Sequence, residues 1–320
     1  MAKRTKLWVG VGVCMLVGST GASAEDDREQ PPTQGSPTAV LASAEQTQNE
    51  PGSGGKGGQG GGHADGEVSG GEAGIPEPVR NAFAGGGEGG EAGDSLNDGS
   101  AHAMLVLIRA DLRVAAELYE QRLPVMGARH LDHPYTNYYN AVAPALIASE
   151  RAALKKHLVA LADFSAEVPE ANRDDQPLPT SAVPGWDEVQ PDHQAAVDTV
   201  DEALDRLAGA DPEPRFIRDT VLAVLRTAEE RYAAAVEDGT VVDTQAYQHG
   251  AGMAFEARQL LAAHREAFEA AEQGLFKKAM GDVEALMKAW ARMPVPETAP
   301  ITPSQLAGGI ARFELTTSGL

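Results

Sequence analysis

The chain has 320 residues, with 47 acidic against 26 basic side chains, a formal charge of −21 at pH 7, 35 glycines, 20 prolines and one cysteine. That balance argues against a nucleic-acid binder, which needs a positive face to displace phosphate counterions, and against docking on anionic lipid. An acidic surface does suit a protein that stays soluble and attracts cations.

The chain opens on Lys3, Arg4 and Lys6, continues through an apolar stretch from Leu7 to Gly18, and reaches the small residues Ala22-Ser23-Ala24. This order is that of a secretory signal peptide, cleaved near Ala24, and predicts a periplasmic or secreted protein. The apolar stretch falls short of the roughly 20 residues of a spanning helix, and no later segment is apolar enough, so the mature chain is expected to have no membrane span. There is no Arg-Arg pair for twin-arginine export, and Gly12-Val13 before Cys14 match a lipoprotein box poorly. Cleavage removes the one cysteine and three basic residues, shifting the formal charge from −21 by −3 to −24. The mature chain then has neither a disulfide nor a thiolate, which excludes cysteine catalysis and cysteine-built zinc sites.

Residues 25–100 are rich in Gly, Pro, Ser and Glu, with few large apolar groups to offset the entropy of ordering, and are expected to form a disordered arm. Within it, Ile75 to Phe83 carries several apolar side chains and could pack against the folded part. The run Gly85 to Glu91, glycine broken by Glu88 and Glu91, reads as a flexible linker.

Helical periodicity starts near His102. Leu105, Leu112, Ala115, Leu118 and Leu123 mark a first helix that stops before Pro124. A second runs from about Tyr138 to Phe164, with Pro144 inside it predicting a kink or a late start. Glu167 to Pro191 is proline-rich and expected to be irregular. A third helix covers about Asp192 to Leu207, and a fourth Arg215 to Glu237, ended by the Asp238-Gly239 turn signal. Asp243 or Thr244 can cap a fifth that reaches about Glu272, and Gly274 separates it from a last one ending at Met293. Thr240-Val241-Val242 is too short to found a sheet by itself. The expected fold is therefore all-α, an antiparallel bundle of about six helices over residues 101–293, with 294–320 as a C-terminal tail.

His130-Leu131-Asp132-His133-Pro134 is the most chemical-looking arrangement. Two imidazoles three residues apart can converge on one metal ion, with Asp132 or a distant carboxylate completing the set. Pro134 disfavours a helical His133, which leaves open a loop pair making ordinary hydrogen bonds. Asp111 lies in an otherwise apolar helix beside Arg109, Arg113 and Glu117, either on a solvated face with ion pairs or pointing into the bundle beside His130 or His133. His102 could join Glu88 and Glu91 as a mobile ligand set. Tyr232, Tyr247, Gln248 and His249 flank the Asp238-Gly239 turn and could line a pocket, although tyrosines at helix ends commonly just pack their rings. His157, His193 and His264 read as surface histidines. No Gly-x-Ser-x-Gly, His-Glu-x-x-His, phosphate-loop or haem-attachment motif is present, so there is no nucleotide or haem signature and the chain points away from an enzyme.

The segments Arg109 to Tyr119, Arg129 to Pro134 and Thr227 to Tyr247 resemble an uncharacterised family of exported bacterial helical proteins, whose Gly-Gly-Glu-Gly-Gly-Glu segment matches Gly86 to Glu91. That family has a histidine where Asp111 stands, so the chain departs from it at a candidate ligand. Tyr232 to Tyr247 is also similar to periplasmic helical regions of bacterial iron permeases, which implies a role near metal uptake. The His-x-x-Glu motif of imelysin-like iron-uptake proteins is absent from all 8 histidines.

Together these features predict a periplasmic helical protein that binds a transition metal, iron or copper, in uptake or handling. The expected ligands are His130, His133, Asp111, Glu88 and Glu91, and the expected partner is an envelope metal-transport protein. The alternative is a non-enzymatic interaction module docking on an envelope partner.

Overall fold

The computed structural model describes residues 74–83, 96–168, 183–290 and 295–320. The expected signal segment, the arm up to residue 73, residues 84–95 with Glu88 and Glu91, and most of the proline-rich excursion lie outside them. The apolar stretch inside the arm forms helix α1 (Glu77–Phe83), which buries Val79 completely. It packs on the helical core, so an ordered element interrupts the 25–100 segment that was expected to be disordered.

Helix α2 (Asp98–Glu120) starts where Asn97 accepts the Ser100 amide at 2.8 Å. It is buried on nearly every side from Gly99 to Ala115, as an all-round apolar helix must be. The chain then turns through the short helix α3 (Pro124–Ala128) into a π-helical turn over Pro134–Tyr139. Pro144 has the expected effect: α4 (Asn140–Val142) runs into a 3₁₀ turn at Ala143–Ala145, Leu146 is extended, and the helix resumes as α5 (Ala148–Ala166).

Helix α6 (Trp186–Ala208) begins six residues before the expected start and contains Pro191 as its sixth residue, so the proline does not mark the helix boundary. Helix α7 (Pro214–Ala235) is followed by a two-residue hairpin, β1 (Val236–Glu237) and β2 (Thr240–Val241), pairing Val236 with Val241. Asp238 and Gly239 both have positive φ, 49° and 79°, the primed turn that a two-residue hairpin loop requires. Helix α8 (Thr244–Ala263) is capped by Asp243, whose side chain accepts the Ala246 amide at 2.9 Å. Then come α9 (Arg265–Ala271) and α10 (Leu275–Leu286), started at left-handed Gly274.

Residues 294–320 are not a tail. They carry helix α11 (Pro303–Thr316), with Leu306, Ile310 and Phe313 buried and a capping box between Thr302 and Gln305. The hairpin holds the approach to this helix: Val241 N donates to Glu297 O, Ala299 N to Gly239 O, and Tyr232 Oη to Ile301 O. Helices α2, α6, α7 and α8 surround one core, α5 lies on α6, and α10 with α11 closes the far side. The fold is all-α, and the six expected helices correspond to α2, α5, α6, α7, α8 with α9, and α10. Among the described residues no helix is long and apolar enough to cross a membrane.

Candidate metal centre

Helices α2 and α8 can approach closely because Gly252 faces α2: a Cβ there would lie 2.5 Å from Val114 Cγ2 and 2.8 Å from the Ala110 carbonyl. One turn before Gly252 on the same face of α8 is His249, and beside Ala110 on α2 is Asp111. Asp111 is fully buried. Removing a carboxylate from water costs several kcal/mol unless partners replace its hydration, and here two imidazoles do so. His249 Nδ1 lies 2.6 Å from Asp111 Oδ1, and His133 Nδ1 lies 2.5 Å from Oδ2.

Burial pushes the Asp111 carboxyl up, but the charges and hydrogen bonds of His133 and His249 outweigh it and hold the group well below the usual carboxylate range. An ionised carboxylate only accepts, so both histidines donate through Nδ1–H. Burial lowers the pKa of His249 despite Asp111, and the neutral ring therefore carries a lone pair on Nε2. That Nε2 is buried without a hydrogen-bond partner.

His130 follows α3 and is 1% exposed. Its Nε2 lies 2.9 Å from Gln248 Oε1, an acceptor, so Nδ1 bears the lone pair, and Nδ1 is also buried and unpaired. Burial, helped by His249, lowers its pKa to about 3. The His130 ring centroid is 4.4 Å from that of His249, and His133 is 4.0 Å from His249 on its other side. His133 begins the π-helical turn, a local irregularity that recurs at functional sites. Its side chain is 12% exposed, the one imidazole of the three that reaches solvent. Tyr138 packs edge-on to it at 5.2 Å. Arg231 of α7 completes the surroundings: burial works against its charge, but Tyr138 and Asp111 outweigh burial and hold its pKa above the ordinary value.

Of the residues singled out from sequence, Asp111, His130 and His133 come together in the interior. A solvated Asp111 is thereby ruled out. Asp132 turns the other way and accepts from Ser165 Oγ at 3.2 Å, so the distant carboxylate, not the neighbouring one, meets the histidines. Arg109 and Arg113 do form the expected ion pairs, with Glu256 of α8 as their shared partner. His102 is buried against Thr220 and Phe216, lowered to about 3 by burial and by Arg109 and His264. His193 is not a surface residue either: it is buried, with Nε2 donating to Leu112 O at 2.7 Å. His157 meets Asp192 at 2.6 Å.

The pocket set does not assemble, because Tyr232 and Tyr247 donate their hydroxyls to the backbone carbonyls of Ile301 and Ala289. His249 and Gln248 leave that group and join Asp111 and His130 instead. Their signal in the sequence was the face His249, Gly252, Glu256 on α8, which pairs a small residue with polar ones toward the interior.

Asp111, His133 and His249 each offer an atom within 4.8 Å of the others, a spacing that can hold a metal ion. Residues 208–319 match the model of a family described as the iron permease-associated 4-helix bundle domain. The matched stretch contains α7 to α11, and with them His249, Gln248 and Arg231. Asp111, His130 and His133 come from outside it. No curated protein and no solved structure matches the chain.

Proposed function

We propose that this is a periplasmic helical protein that binds a transition-metal ion, iron or copper, during uptake or handling, beside a metal-transport protein of the envelope. One observation carries the reading. A buried carboxylate fixes two imidazoles through Nδ1, and the lone pairs on His249 Nε2 and His130 Nδ1 are left in the interior with no protein partner. Unpaired buried acceptors cost stability, and a metal ion is the partner that neutral imidazole suits. The family match of residues 208–319 supports iron as the cargo and a permease as the neighbour, and the N-terminal signal pattern supports export. Glu88 and Glu91, outside the described residues, remain candidate ligands.

The test is metal analysis and calorimetric titration of the purified protein with Fe2+ under anaerobic conditions and with Cu2+. One ion per chain is expected, bound at micromolar concentration or tighter, and lost in the His133→Ala, His249→Ala double variant. Binding no tighter than millimolar, or an unchanged double variant, rejects the function.

A further inference from the structure

The stacking of His133 on His249 sets a condition on how the two can share one ion. Their ring centroids are 4.0 Å apart, too close for rings lying side by side, and their planes are 32° from parallel. The lone pair of an imidazole nitrogen lies in the plane of its ring. Rings arranged in this way send their lone pairs along nearly parallel lines, whereas the ligands of one ion must converge on it. Asp111, His133 and His249 have donor atoms within 4.8 Å of one another, near enough for a common ion. Distance is therefore satisfied and direction is not, so one ring must turn before both can bind.

His249 is the ring that is held. Its side chain is 3% exposed, His130 lies edge-on against it at 4.4 Å, and its helix approaches α2 so closely at Gly252 that a Cβ there would meet Val114. His133 has an open side, with 12% of its side chain exposed. The backbone that carries it is fixed: Leu131 is fully buried, Asp132 accepts from Ser165 Oγ at 3.2 Å, and the His133 carbonyl accepts from Asn137 Nδ2 at 3.3 Å. Rotation about the side-chain bonds of His133, from one staggered rotamer to another, is the movement left to the pair.

Resting on the metal-binding reading above, we propose that His133 is a swinging ligand whose hydrogen bond to Asp111 is exchanged for the ion. The His133 ring turns out of the stack, its Nδ1 leaves Asp111 Oδ2, and the freed oxygen and the turned ring bind the ion together. His249 stays in place against Asp111 Oδ1. Asp111 is fully buried, and an ionised oxygen left there without a partner is strongly disfavoured. A cation arriving at Oδ2 supplies the missing partner, so the swing is coupled to capture. Release reverses it, because the His133 bond to Oδ2 re-forms as the ion departs.

The deciding experiment is a crystal structure of the full protein loaded with Cu2+, after calorimetry has established one ion per chain. The expected structure has the ion on Asp111 Oδ2 and on a His133 ring turned out of the stack, with His249 unmoved. An ion bound while the two rings remain stacked, or a turned His249 beside an unmoved His133, overturns the proposal and leaves metal binding intact. Absence of binding in the calorimetry strikes the metal reading itself, and the swing falls with it. In solution, proton NMR should show two hydrogen-bonded imidazole N–H resonances, the His133 one assigned by its loss in His133→Ala. Saturation with Zn2+, a diamagnetic ion that histidine and carboxylate both bind, should remove the His133 resonance and retain that of His249. Persistence of both resonances at saturation, or loss of both, refutes the swing.

Discussion

Two polar clusters stand on the seam between α2 and α8, separated by Gly252, and each is built round one buried carboxylate. Glu256 is met by Arg109 at 2.7 Å and by Arg113, and Arg109 also reaches Asp201 at 3.1 Å. Asp111 is met by His133 and His249. Guanidinium is permanently charged and has only donors, so the Glu256 cluster ends in ion pairs and partial solvent contact. Imidazole donates on one side and accepts on the other, so the Asp111 cluster ends in bare lone pairs. The same helix pair thus carries a clamp and a socket, and the difference lies in the partner's second nitrogen.

The largest expected effect separates these roles. Glu256→Ala leaves the half-buried Arg109 with Asp201 alone and Arg113 without its partner, and should cost about 3 kcal/mol in urea denaturation, the low end for breaking a buried pair. A loss below about 1 kcal/mol would class the cluster with exposed ion pairs. Gly252→Ala acts on both clusters at once, forcing Val114 and the Ala110 carbonyl away from α8. It should cost about 1–3 kcal/mol as overpacking does and weaken the proposed metal binding in the same variant. Retained affinity in a destabilised variant would show that the socket does not depend on the close helix approach.

A pH series gives a smaller effect. His102, two turns before Arg109 on α2, has its pKa lowered to about 3 by burial, then by Arg109 and His264. The unfolded chain binds this proton more readily, so the stabilisation is complete above about pH 6.5 and declines toward pH 3, by at most about 1.4 kcal/mol per pH unit. Thermal unfolding between pH 7 and 5 should show a shallower decline in His102→Leu, and an unchanged decline would assign it to other groups. The smallest effect belongs to the exposed Lys278 and Glu272 pair at 3.2 Å, where Lys278→Ala should change stability by about 0.5 kcal/mol or less. A larger loss would mean that exposure does not distinguish the clamp from ordinary surface pairs.

The helices were legible in the sequence wherever apolar spacing, a cap or a proline spoke locally, as at Asp243, Pro144 and Asp238-Gly239. Asp111, His130 and His133 stood out by residue type, but their convergence depends on how α2, α3 and the π-helical turn fold back, and no local spacing records that. His249 was grouped with Tyr247 because they are near neighbours in sequence. On α8, however, Tyr247 faces Tyr232 and the Ala289 carbonyl while His249 faces α2. Helix α11 was hidden by Pro294, Pro296 and Pro300, although Thr302, Pro303 and Gln305 spell a helix start and Leu306, Ile310 and Phe313 follow at helical spacing.

The stitching of residues 297–299 to the α7–α8 hairpin bears on the order of events in synthesis. Phe313 sits fully buried beside helices made much earlier. The interior is therefore sealed by the described element that is made after all the others. Until α11 emerges, the faces of α7 and α10 against which it packs are uncovered, so the helices made first complete their core only when this late element docks.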